Sequence, residues 1–173
     1  MSNERSDPIT LFITWTTYGS WLPGDARGWR KWKRGEQQPQ PLLEDWCKNR
    51  MKEKPVILDA QHREAIEEVI GEHARHRGWK LHAVSVRSNH VHVVVTVVPK
   101  IIKTNRAGDG IKRVRDELKA NATRVLRQLE TPMANDKVWT KGGDVQIIDA
   151  EDDLVQSFFI FCLVKISMFY LLG

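Results

Sequence analysis

Two histidines, His90 and His92, stand one residue apart at the head of the valine-rich run HVHVVVTVV (90–98). In an extended strand, residues i and i+2 share a face, about 6.6–6.8 Å apart along the chain. Both imidazoles therefore point the same way, with Val94 and Thr96 beyond them, while Val91, Val93, Val95 and Val97 point the other. Two imidazoles on one face can chelate a single metal ion if a third ligand arrives from elsewhere. The alternative is that both rings are simply hydrogen-bonded at a sheet face, and the spacing alone does not choose. Asn89, just before the pair, can orient a histidine or a phosphate, or merely serve the turn.

A second chemistry-bearing stretch is RGWRKWKR (27–34), with five positive residues in eight. Arg27, Arg30, Lys31, Lys33 and Arg34 can contact phosphates, while Trp29 and Trp32 can stack on unpaired bases. The competing reading is a solvated loop whose tryptophans fold back over the core. Lys112 and Arg113 head a basic set on segment 108–130 that also includes Arg115, Lys119, Arg124 and Arg127, set against Asp116, Glu117 and Glu130. Lys112 and Arg113 are candidate DNA contacts, although a charged outer helix face is the default explanation. His82 lies on the neighbouring strand, where it either approaches the pair or is a satisfied sheet histidine. His62, His73 and His76 read as structural or exposed helix residues. Asp25, Glu151, Asp152 and Asp153 are possible ligands better suited to turns and helix starts. Trp15, Trp79 and Trp139 read as core anchors.

The 173 residues (20.0 kDa) suit one domain with a real core, here taken as 1–173. The net charge of +5 and pI of about 9.3 favour a polyanionic partner only weakly. Cys47 and Cys162 form no CxxC pattern, which fits a reducing cytoplasm and no disulfide framework. The opening MSNERSDPIT is too polar for a secretory signal. The run SFFIFCLVKISMFYLL near the C-terminus spans 16 residues with Lys165 inside it, short of the roughly 20 apolar residues a membrane span needs. No membrane association is expected.

LFITWTT (11–17) is β-branched and aromatic between Pro8 and Gly19, a strand signature. Residues 18–29 carry three glycines and a proline and read as loop. Residues 30–41 read as a basic, then Gln/Pro-rich insertion, and 42–58 favour no single element, so 30–57 is treated as an insertion. A helix is expected over 59–79. Asp59 would be its N-cap and Gly78 its C′ residue, with His62, Ile66, Val69, Ile70 and His73 on one stripe. Strands follow at 80–88 and 90–98. A second helix is expected over 108–130, capped by Asp109 and striped by Ile111, Val114, Leu118, Ala122, Val125 and Leu129. Residues 137–148 read as a strand, a Gly-Gly bend and a further extended piece. DAEDDLVQSFFIFCL (149–163) begins like an acidic helix N-terminus, and 156–173 form an apolar tail. The order β-α-β-β-α-β plus a last helix predicts an α+β, ferredoxin-like split βαβ fold, an antiparallel sheet with both helices on one face.

On that hairpin, SNHVHVVVTV after LHAVSV resembles the HUH motif (His, hydrophobic, His) of the single-tyrosine transposases, the IS200-like and REP-associated enzymes. FITWTTYGSWLPGDARGW (12–29) resembles the first strand and loop of one branch, and VWTKGGDVQIIDAEDDL (138–154) the segment leading to the tyrosine-bearing helix. The resemblance spans most of residues 11–155. It implies that His90 and His92 hold Mg²⁺ or Mn²⁺, which polarises the scissile phosphate of single-stranded DNA. It further implies that a tyrosine forms a covalent 5′-phosphotyrosine, with no nucleotide cofactor, and that the enzyme is a homodimer recognising hairpin ends.

The chain departs from the pattern where that tyrosine is expected. LVQSFFIFCLVK (154–165) holds Phe158, Phe159 and Phe161 but no tyrosine, and the only two tyrosines are Tyr18 and Tyr170. Tyr170 is the candidate nucleophile, although no residue follows it that could supply a metal ligand one turn later. A recruited Tyr170, a decayed transposase and a frame slip near residue 155 each account for this. Two function classes are open, a DNA-cleaving and rejoining enzyme and a DNA-hairpin-binding remnant without catalysis, with a metal-dependent nuclease that uses water as a third.

Overall fold

Strict alternation in the first strand decides which way the sheet faces. In β1 (Ile9–Thr16), Leu11, Ile13 and Trp15 are buried, while Thr10, Phe12, Thr14 and Thr16 lie on the opposite side and are only partly covered. A computed structural model describes residues 8–31, 34–98 and 109–148, the side chains of Arg30, Lys31 and Asp109 excepted. In chain order the elements are β1, β2 (Trp29–Lys31), β3 (Gly35–Gln37), α1 (Pro41–Asn49), α2 (Ala60–His76), β4 (Lys80–Val86), β5 (His90–Val97), α3 (Asp109–Gln128) and β6 (Asp144–Ile148).

The main sheet has the order β4-β5-β1-β6, antiparallel throughout. With α2 and α3 as the two crossover helices, this is the expected α+β split βαβ arrangement. β5 and β1 are the two inner strands. The β-branched residues of β5 suit a pleated, buried surface: Val91, Val93, Val95 and Val97 are fully buried against Leu11, Ile13 and Trp15 of β1, and Val94 is fully buried on the opposite face. Each such side chain contributes about 1.5–3 kcal/mol. Ile66 and Ile70 of α2 and Val114, Leu118, Ala122 and Leu126 of α3 close the core from the helical side.

The helix punctuation is as anticipated. Asp59 accepts from the His62 backbone N–H while the His62 ring accepts from the Asp59 N–H, a capping box. Gly78 takes φ +66 just past the helix end, and Trp79 N–H returns to the Ala74 carbonyl. Between α2 and α3, Glu117 accepts from Arg77 and lies 3.4 Å from His73. Trp15 and Trp79 are buried, and Trp139 packs edge-on against Trp15.

The stretch read as an irregular insertion holds secondary structure: the β2–β3 ribbon and α1. α1 buries no residue, Leu42 and Trp46 stay exposed, and its apolar periodicity runs over only nine residues. Pro41 starts the helix instead, at a position where a missing N–H costs nothing. Asp109 is the first residue of α3, and its side chain is not among those described; the acidic helix start from 149 with Glu151, Asp152 and Asp153, the apolar tail and Tyr170 lie outside the described residues.

Candidate functional site

The antiparallel register lines up two threonines of β1 with the two histidines of β5, Thr14 opposite His92 and Thr16 opposite His90. All four belong to the sheet face away from α2 and α3, because their neighbours Ile13, Trp15, Val91 and Val93 fill the core. The two imidazoles lie together, ring centroids 4.7 Å apart at 69°, and Phe12 stacks on His92 at 5.6 Å.

Each ring is oriented through its Nδ1. His90 Nδ1 lies 2.7 Å from Asn89 Oδ1, an acceptor, so Nδ1 carries the proton and Nε2 the lone pair. His92 Nδ1 lies 2.8 Å from Thr14 Oγ1. When it donates there, the His92 lone pair is also on Nε2. Asn89 is itself pinned: its carbonyl accepts from the Thr17 backbone N–H and hydroxyl and from the Ser20 hydroxyl. Thr17 is fully buried and also donates to the Val56 carbonyl. The TTYGS segment thus fixes the turn that carries the first histidine. Asn89 combines the two roles open to it in the sequence.

Both histidines are held neutral. Burial pushes the His90 pKa down, helped by Arg87 and Arg27. Burial, then His90 and Arg87, pushes His92 down to about 4. Two neutral imidazoles on one face, with Nδ1 occupied by an oxygen partner, can offer two nitrogen donors to one divalent cation. His90 and His92 therefore fit as two ligands of a metal ion. Among the described residues no cluster of three His, Cys, Asp or Glu side chains completes the site.

The other candidates divide between the two sides of the sheet. Arg27 is clamped by Asp25, whose pKa the Arg27 guanidinium holds at about 2, and donates to the Ser20 carbonyl. Asp25 is thus a turn and ion-pair residue. Trp29 sits on β2 with its Nε1–H donating to the Gln38 carbonyl. Arg30 and Lys31 belong to the same strand, Arg34 is an exposed turn residue, and Trp32 and Lys33 lie outside the described residues. Lys112 and Arg113 are exposed on α3, in the layer behind the sheet, and Arg113 reaches Glu117 at 3.3 Å. The structure does not bring them to the histidine face. His82 bonds Thr96 Oγ1 at 2.7 Å. Thr96 lies four residues beyond His92, roughly 13 Å along the strand, so His82 is a satisfied sheet histidine remote from the pair.

Sequence reasoning missed Thr14, Thr16, Thr17 and Ser20. The period-two recurrence of threonine at 10, 14 and 16 was a visible sign of a polar face, but its pairing with histidines 70 to 80 residues away was not.

The family described as "Transposase IS200 like" matches residues 47–156. The chain belongs to the IS200-like transposase family. No curated protein matches it significantly. Among solved structures, a protein from Deinococcus radiodurans R1 assigned as a transposase aligns over 92% of this chain and 94% of its own, at 12% identity and TM-score 0.46. A REP-associated tyrosine transposase bound to a REP hairpin aligns over 91% of this chain and 68% of its own, at 17% identity and TM-score 0.40. Among the described residues, no helix is long and apolar enough to cross a membrane.

Proposed function

We propose that the face carrying His90 and His92 binds a strand of single-stranded DNA and coordinates a divalent cation, Mg²⁺ or Mn²⁺, through the two Nε2 atoms. The observation that carries this is the paired imidazoles, neutral and each oriented by an oxygen partner, on the side of the sheet away from α2 and α3. A pure DNA-binding surface has no use for that arrangement. When bound, the ion supplies Lewis-acid polarisation of the scissile phosphate. Arg87 and Arg27, whose charges reach the pair, draw the phosphate in. Asn89 and Thr14 hold the imidazoles in place through the reaction. DNA cleavage then follows the family's chemistry. A tyrosine oxygen forms a bond to phosphorus, the P–O3′ bond breaks, and the 3′ oxygen leaves with the proton. The phosphotyrosine conserves the bond energy for rejoining.

Tyr170 is the residue of this chain that would act as the nucleophile. Tyr18 is tied into the core, its backbone bonded to Val138 and Val56. A second reading, a hairpin-binding remnant without catalysis, is favoured by the phenylalanines of 154–165, which have the ring without the attacking oxygen. In either case the substrate is single-stranded DNA with hairpin ends and the working unit a homodimer in the cytoplasm, with 1–173 acting as one domain.

The deciding experiment incubates the purified protein with Mn²⁺ and labelled oligonucleotides carrying hairpins from the flanks of its own gene. A DNA-linked band that survives SDS, and is lost in Tyr170→Phe and His90→Ala, establishes the enzyme. A retarded complex on a native gel with no such band establishes the binding remnant. No complex of either kind overturns the assignment of DNA to this face.

A further inference from the structure

Beside the histidine pair lies a cleft of about 850 Å³, within the range of small-ligand sites. Its walls come from the 18–29 loop, the β2–β3 ribbon and the Gly-Gly bend before β6. Thr16, which faces His90 across the sheet, forms part of the wall and is bonded at 2.8 Å to Thr140, another lining residue. The cleft and the histidine pair thus share a border.

Trp21 and Trp29 are its aromatic residues, and both are held in place by their ring nitrogens. Trp21 Nε1–H donates to the Gly28 carbonyl and Trp29 Nε1–H to the Gln38 carbonyl. Trp21 nevertheless remains 48% exposed, which is unusual for so large an apolar ring. Arg27, fixed by Asp25 and the Ser20 carbonyl, stands over the Trp21 ring at 4.9 Å. Glu36, Gln38 and Lys141 bring hydrogen-bonding and charged groups to the rim. A fixed, half-exposed indole with a fixed guanidinium over one ring face leaves its other face as a stacking platform. Except for Thr140 and Lys141, the lining lies N-terminal to the segment matched by the family.

We propose that the cleft is a subsite for an unpaired nucleobase, stacked on Trp21, of the same DNA strand whose phosphate lies at His90 and His92. This rests on the proposed DNA-binding function and adds to it a place where bases, rather than the backbone, are gripped. A base pair cannot occupy it without opening, so the subsite selects single-stranded over duplex DNA.

The test compares binding of the full chain, by fluorescence anisotropy without metal, to oligodeoxythymidylate and to an abasic oligomer of equal length and charge. Wild type is expected to bind the thymidylate at least about tenfold tighter. Trp21→Ala should bring the ratio close to one, and Trp21→Phe, which keeps a ring face, should restore most of it. Equal binding of both oligomers by wild type overturns the subsite while leaving a charge-driven DNA function standing. A ratio unchanged in Trp21→Ala overturns it too, since the stacking then lies elsewhere. Binding of neither oligomer overturns the DNA function and the subsite together.

Discussion

Thr14 Oγ1 lies 2.8 Å from His92 Nδ1, and the two residues are direct cross-strand partners in the β1–β5 ladder. A hydroxyl that orients a ligating imidazole by its second nitrogen is worth about 10- to 100-fold in metal affinity. Thr14→Val keeps the shape and removes the hydroxyl. The expected result is Mn²⁺ binding weakened by roughly tenfold in calorimetric titration, with the fold intact by circular dichroism. Unchanged affinity would show that stacking on Phe12 suffices to position His92.

Gly143 joins the site to the fold from the other side. It adopts φ +141, and a Cβ there would come within 2.7 Å of the Thr14 carbonyl and 3.0 Å of the Trp15 side chain. Backbone on one side and a buried tryptophan on the other leave little room to yield. Gly143→Ala should therefore destabilise the protein by about 2 kcal/mol or more. The measure is the urea midpoint at constant m-value.

Lys119 ties the same bend to α3. Its ammonium donates to the carbonyls of Thr140 and Gly142, and burial pulls its pKa down to about 8. A lysine with a lowered folded-state pKa penalises the folded state below that value. The folded protein then releases its proton before the unfolded chain does, so stability rises with pH between 8 and 10.5. After solvent screening the gain is about 1 kcal/mol. Lys119→Met should lack this part of the rise, which is read as the difference between the two thermal-melt series across that window.

Asp59 provides a control remote from the chemistry. Asp59→Ala removes half of the capping box on α2 and should cost about 1 kcal/mol of stability. Metal and DNA affinities should stay at wild-type values. A loss of either would mean that α2 moves the histidine face.

The local punctuation and the periodic elements were legible in the residues. Asp59, Gly78, the two helical stripes and the alternating valines of β5 each follow from short-range rules, because caps, turns and amphipathic faces are settled by neighbours within a few positions. The pointing of His90 and His92 to one face was legible for the same reason. The β2–β3 ribbon and α1 were not. A three-residue strand pair and a nine-residue helix are too short to stand out from the Gln/Pro-rich sequence around them, and they are held by tertiary contacts such as the Gln40 N–H to the Gly24 carbonyl.

What the sequence by itself determined was a pair of imidazoles on a strand, the order of the elements around it, and the lack of a tyrosine in 154–165 where the family resemblance expects one. Only the tertiary structure decided what makes those imidazoles neutral and oriented. Their partners are a threonine 78 residues away and an asparagine pinned by a buried threonine 72 residues away. It also decided that Trp21 and Trp29 line a cleft bordering His90, while Lys112 and Arg113 fall behind the sheet. Spacing along a chain sets which way a side chain points within one element. Which residues meet across elements depends on strand register and on which face the core takes, and those are settled only when the whole sheet closes on its helices.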